Sequence, residues 1–153
     1  MNRGKKAKDG LVILIITAYI FLFTYAAVSK LSEYKMFEIQ IGQSPIIARF
    51  AWFLVWLVPA LEILFAVVLF FDRFRLKAMY ASVTLMSLFT YYIIAATTLT
   101  PYVPCSCGGI LEAMGWTEHL IFNIVFVLAG SVAIVTIERN KENANLKYPT
   151  DGF

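Results

Sequence analysis

Charge is what this chain most lacks. Only 15% of its 153 residues are Asp, Glu, Lys or Arg, while 60% are hydrophobic. A water-soluble domain carries closer to a quarter charged residues, so an ordinary soluble core is excluded. Metal-ligating residues are equally scarce, with one histidine and two cysteines. They fall short of the four ligands that close a structural metal site. A soft-ion reading has to combine Cys105 and Cys107 with Met114 and His119, and no fourth clear ligand supports it. Internal repeats and low-complexity segments are absent too, which leaves a repeat-built transporter with thin support. The net charge of +3 is modest and gathers at segment ends. It speaks of membrane topology and excludes nucleic acid as a partner.

What the chain does have is long apolar runs. Four are long enough to cross a hydrocarbon core, which takes about 20 helical residues: Leu11 to Lys30, Phe50 to Phe71, Leu76 to Leu99 and Thr117 to Ile137. Four segments cannot close a barrel, so helices are the remaining way to satisfy the backbone in lipid. The expected fold is an all-α membrane protein, a four-transmembrane-helix bundle. Residues 1–9 form a basic N-terminal piece, 10–138 the membrane domain and 139–153 a polar tail expected to fray.

Orientation follows from the flanking Lys and Arg. With the N-terminus inside, the inner side carries Arg3, Lys5, Lys6, Lys8, Arg73, Arg75, Lys77, Arg139, Lys141 and Lys147, and the outer side only Lys30, Lys35 and Arg49. Both termini are therefore expected in the cytoplasm of a bacterial cell, with the chain multi-pass in the inner membrane. A competing reading treats the N-terminus as a signal peptide cut near Ala27-Val28-Ser29. The run from Leu11 to Val28 is longer than a usual signal core, so a retained anchor is expected.

Two outer segments follow from this topology. Residues 31–48 mix charge with apolar residues, and are expected to continue the first helix and then lie on the interface before Pro45. Residues 100–116 hold Pro101, Pro104, Gly108, Gly109 and Gly115, which end the third helix and permit tight turns. Both cysteines fall in this second segment, as Pro104-Cys105-Ser106-Cys107-Gly108-Gly109. An outer location is one where disulfides persist. A Cys-x-Cys ring has little backbone freedom with which to reach good bridge geometry, so any bridge is expected to be strained and exchangeable. The bland alternative is a static bridge that pins the loop.

Other residues stand out inside the spans. Glu62 follows Trp56 and Pro59 in the second span, where a carboxylate is costly unless protonated or paired. It reads as a proton acceptor or polar ligand contact, or equally as a hydrogen bond that locks helices together. Lys30 is the nearest cation, but at about 10–15 Å higher in the membrane it has to reach down. Thr84, Ser87, Tyr91, Ala95 and Thr98 share one face of the third span. His119, Asn123, Gly130 and Ala133 share one face of the fourth. Both stripes read first as close helix packing. The sharper reading has Tyr91, Tyr92, Trp56 and Asn123 lining a pocket that opens towards the cysteines. His119, in the first turn of the fourth helix below a Thr117 cap, then assists thiol proton transfer.

Lys30-Leu31 closing the first span, Pro59-x-x-Glu62 in the second, Cys105-x-Cys107-Gly108-Gly109 before the fourth, and Asn123 within it together form a family pattern. The chain resembles the MauE/DoxX-like family of small bacterial membrane proteins from about residue 10 to 137. The resemblance implies a four-helix bundle tied to periplasmic thiol chemistry and to thioredoxin-like partners. Its architecture is also similar to that of quinone-coupled disulfide oxidases, which makes a quinone the candidate cofactor. Those enzymes use Cys-x-x-Cys and a second cysteine pair, and this chain has neither. Gly108-Gly109 replaces the aromatic that usually follows the cysteine unit, and Phe122 replaces the Arg that commonly precedes the helix-four Asn.

The expected function is thiol–disulfide exchange, with Cys105, Cys107 and His119 as catalytic residues and Lys30, Glu62, Tyr91 and Asn123 as ligand contacts. The alternative from another class is a non-catalytic subunit or assembly factor of a larger membrane complex, its cysteines forming a structural disulfide. A third reading puts a quinone or small lipophile near Glu62.

Overall fold

The computed structural model describes residues 3–44, 47–99 and 115–147. Its elements in chain order are α1 (Arg3–Ser32), α2 (Tyr34–Gly42), a 3-10 turn (Ala48–Phe50), α3 (Ala51–Leu69), α4 (Arg75–Leu99) and α5 (Trp116–Lys147). Four of these helices, α1, α3, α4 and α5, are long and apolar enough to cross a membrane.

Each span packs through a narrow stripe. On α3 the buried positions are Val55, Pro59, Glu62, Ala66 and Leu69, a 4-3-4-3 spacing that keeps one seam towards its neighbours. On α1 the stripe runs through Val12, Ile16, Tyr19, Phe23, Ala26 and Lys30. Away from these seams the helices stay apolar. Phe21 is 72% exposed and Trp52 73%, faces that suit lipid and would be untenable in water. Only 22% to 39% of the most apolar window of each span is buried inside the bundle, so the hydrocarbon core has to cover the rest.

The helices form a four-membered ring in which α1 meets α3 and α5, and α4 meets α3 and α5. The contact between α3 and α4 is the least extensive of these four. At mid-bundle the Tyr19 hydroxyl donates to the Phe126 carbonyl oxygen at 2.7 Å, and the two rings meet edge to face with centroids 5.4 Å apart. Gly130 lets this junction close, since a Cβ there would collide with Val83 and with the Tyr19 hydroxyl. At one end of the bundle Asn140 donates to Asp9 at 2.8 Å and the Tyr80 hydroxyl donates to Glu138 at 2.7 Å. These bonds gather the start of α1, the start of α4 and the end of α5.

Two expectations about the elements change. The tail, expected to fray after Glu138, continues α5 to Lys147, and the bonds to Glu138 and Asn140 anchor its first turn. The polar face of the third span does not pack into the bundle. Thr84, Ser87, Tyr91 and Thr98 are exposed and only Ala95 of that stripe is buried. The hydroxyls of Thr84, Ser87 and Thr98 donate to the carbonyls of Tyr80, Val83 and Ile94 on their own helix. A hydroxyl satisfied this way can face lipid at little cost. The fourth-span stripe does face inward, with Asn123, Gly130 and Ala133 buried and His119 half-buried.

Candidate functional site

The end of the bundle opposite the Asp9–Asn140 contact gathers the last turns of α1, the first half of α3, the second half of α4 and the first turns of α5. A cavity of about 380 Å³ lies among them, lined by residues from Leu22 to Lys30, Leu54 to Glu62, Leu85 to Ile93 and His119 to Asn123. Phe37, Gln40 and Ile41 of α2 complete its wall. The α2 residues lie three and four apart, and so on one helix face. The Tyr34 ring, 5.3 Å from Trp56, holds this short helix against α3. The helical part of the expected continuation of the first span is present as α2, and one face of it belongs to the cavity.

Lys30 and Glu62 meet at this end. The Lys30 ammonium donates to Glu62 Oε1 at 2.9 Å, with side chains 8% and 1% exposed. The same ammonium lies 3.4 Å from the Ala26 carbonyl oxygen, one turn towards the start of α1. Helical side chains lean towards the N-terminus of their helix, and this lean supplies the downward reach that the pair requires. The ammonium also sits 5.8 Å from the centre of the Phe37 ring, a cation–π contact contributed by α2. A charge at this depth is tolerated because its partner is in place.

Two polar atoms on the cavity's residues remain unpaired. Neither Glu62 Oε2 nor Asn123 Nδ2 has a hydrogen-bond partner among the described residues, and Asn123 is only 3% exposed. The other lining residues are overwhelmingly apolar. His119 stands in the first turn of α5, where its backbone N–H donates to the Gly115 carbonyl oxygen at 3.0 Å, and it lines the same space.

Of the residues singled out from the sequence, Lys30, Glu62, Tyr92, His119 and Asn123 are brought together around the cavity. Tyr91 and Trp56 are not. They are 71% and 61% exposed and point out of the bundle, because a one-residue step along a helix turns a side chain by about 100°. Of the two adjacent tyrosines expected in the pocket wall, Tyr92 alone lines the cavity. Gln40, Phe37 and Met86 were not anticipated. The 37-40-41 spacing within α2 was a readable signal for the first two, whereas nothing distinguishes Met86 from its apolar neighbours. Cys105, Cys107 and Met114 lie outside the described residues.

The family model described as methylamine utilisation protein MauE matches residues 8–136. The chain belongs to the MauE family. The match runs from Lys8 in α1 to Thr136 in α5 and includes every residue of the cavity. It does not extend to the DoxX-like half of the expected resemblance. Comparisons with curated proteins and with solved structures return no match. As a MauE-family protein with four apolar helices, the chain is a multi-pass membrane protein whose immediate partner is the lipid bilayer.

Proposed function

We propose that this MauE-family protein supports thiol–disulfide exchange at the outer face of a bacterial inner membrane, with Cys105 and Cys107 as the exchanging pair. The observation that carries the reading is positional. The connection that bears both cysteines joins the end of α4 to the start of α5, the bundle end that holds Lys30, Glu62, His119 and Asn123. The Lys and Arg asymmetry of the flanks assigns that end to the outside, where a disulfide persists. Both termini are then cytoplasmic.

In the proposed reaction one cysteine thiolate attacks a disulfide sulfur of a periplasmic, thioredoxin-like partner. A mixed disulfide forms and one partner thiolate leaves. The second cysteine then attacks its neighbour's sulfur, closing Cys105–Cys107 and releasing the second partner thiolate. The partner gains two electrons and the pair loses two; run backwards, the same steps oxidise the partner. His119, twelve residues after Cys107, is the proposed proton carrier for these thiols, since an imidazole can both accept and donate a proton through its ring nitrogens.

Replacing each cysteine singly by serine tests this. One of the two variants should trap a reductant-sensitive adduct with a periplasmic protein, visible as a mass shift on non-reducing gels. If neither traps an adduct and both retain function in cells, thiol exchange is wrong. A stoichiometric membrane partner that copurifies with the double serine variant would instead establish the subunit or assembly-factor role.

A further inference from the structure

We propose that the cavity between α1, α2, α3, α4 and α5 is a binding site for an uncharged, membrane-soluble molecule with an apolar body and a hydroxyl head. The argument starts from the two unpaired atoms. A buried polar atom without a partner in an apolar surrounding is costly, and in native proteins such atoms are normally satisfied. Here Glu62 Oε2 accepts and Asn123 Nδ2 donates, and both residues border one cavity. A hydroxyl group answers both requirements at once, donating to the carboxylate and accepting from the amide.

The remaining features fix the rest of the ligand. Lys30 and Glu62 neutralise each other at 2.9 Å, so a charged head of either sign is buried in this apolar space without a counter-ion of its own. An uncharged head avoids that cost. Leu57, Leu61, Met86 and Phe89 supply apolar wall, and about 380 Å³ falls within the ~300–1,000 Å³ of small-molecule sites. Leu88 lines the cavity and is also 59% exposed, so the cavity reaches the outer surface of the bundle at α4. The α3–α4 contact is the least extensive of the four that close the ring of membrane-crossing helices, and the proposed ligand enters there laterally from the lipid. A quinone carbonyl only accepts hydrogen bonds and leaves Glu62 Oε2 unanswered. The site therefore favours the hydroxylated, reduced form of such a ring over the oxidised form.

The test is native mass spectrometry of the full chain in detergent micelles. The probes are a short-tailed alkyl hydroquinone, its quinone, 4-nonylphenol, 1-dodecanol and dodecane. At least one hydroxyl-bearing probe should bind one to one, roughly tenfold or more tighter than dodecane, and the hydroquinone tighter than its quinone by a similar factor, the worth of a charge-assisted hydrogen bond. Asn123→Leu should weaken the hydroxyl probes about tenfold and leave dodecane unchanged. Met86→Trp, which adds bulk to the cavity wall, should weaken binding of every probe and serves if Asn123→Leu does not fold. Phenolic probes binding ahead of 1-dodecanol identify an aromatic head, and the reverse order an aliphatic one. The proposal is overturned if no hydroxyl probe outbinds dodecane, if quinone and hydroquinone bind equally, or if Met86→Trp leaves binding intact. Binding alone is read, so thiol exchange can fail and leave this result standing.

Discussion

At the scale of single residues, the Lys30–Glu62 pair concentrates most of the cost and most of the specificity of the site. Removing one member strands the other charge in an apolar interior, which costs far more than the pair itself contributes. Lys30→Met or Glu62→Leu is expected to lower stability by about 3–5 kcal/mol, read as a shift in unfolding by SDS in mixed micelles. The double variant Lys30→Met/Glu62→Leu should recover most of that loss. Two additive single effects would show that the pair is not coupled. The sequence displayed both residues as anomalies, since a carboxylate within an apolar run and a lysine at its rim are each rare. Their distance was less legible. It depends on the lean of one flexible side chain along α1, and the 3.4 Å approach to the Ala26 carbonyl oxygen records that lean.

At the scale of elements, periodicity was a good guide to where helices run and a poorer one to which side faces in. All four spans fell where apolar length put them. A helix apolar on every side, however, offers little contrast between its lipid face and its protein face. On α4 the polar stripe was the plausible packing face, yet its hydroxyls are satisfied by their own backbone and it turns outward. On α5 the small residue was the better clue. Gly130 sits where α5 meets Tyr19 of α1 and Val83 of α4. Gly130→Ala should therefore destabilise the bundle by about 1–3 kcal/mol through overpacking. Gly130→Ala combined with Tyr19→Phe should cost less than the sum of the two single changes, because the smaller ring removes the oxygen that the new methyl strikes. Thermal unfolding of the four proteins in one detergent measures that difference directly.

At the scale of the whole molecule, the even number of crossings puts both ends of the chain at one end of the bundle and the cysteine-bearing connection at the other. On the proposed orientation, which rests on the charge asymmetry of the flanks, the cysteine-bearing end lies outside. In intact bacterial cells treated with reductant, a membrane-impermeant maleimide should label Cys105 and Cys107 without lysis, and a fluorescent protein fused after Phe153 should glow in the cytoplasm. Labelling that appears only after lysis would reverse the orientation and remove the basis for exchange with a periplasmic partner.

The amino-acid sequence by itself determined that the chain spans a membrane four times, where each span lies, and which residues are out of keeping with lipid. Length, apolar content and the charge of the flanks are local properties, readable without knowing which helix neighbours which. Only the tertiary structure decided that Lys30 reaches Glu62, that Tyr92 and not Tyr91 faces the cavity, and that α2 supplies one of its walls. Each of these depends on the rotation of a helix about its own axis. In a bilayer that rotation is set by packing against neighbouring helices, because lipid accepts any apolar face equally.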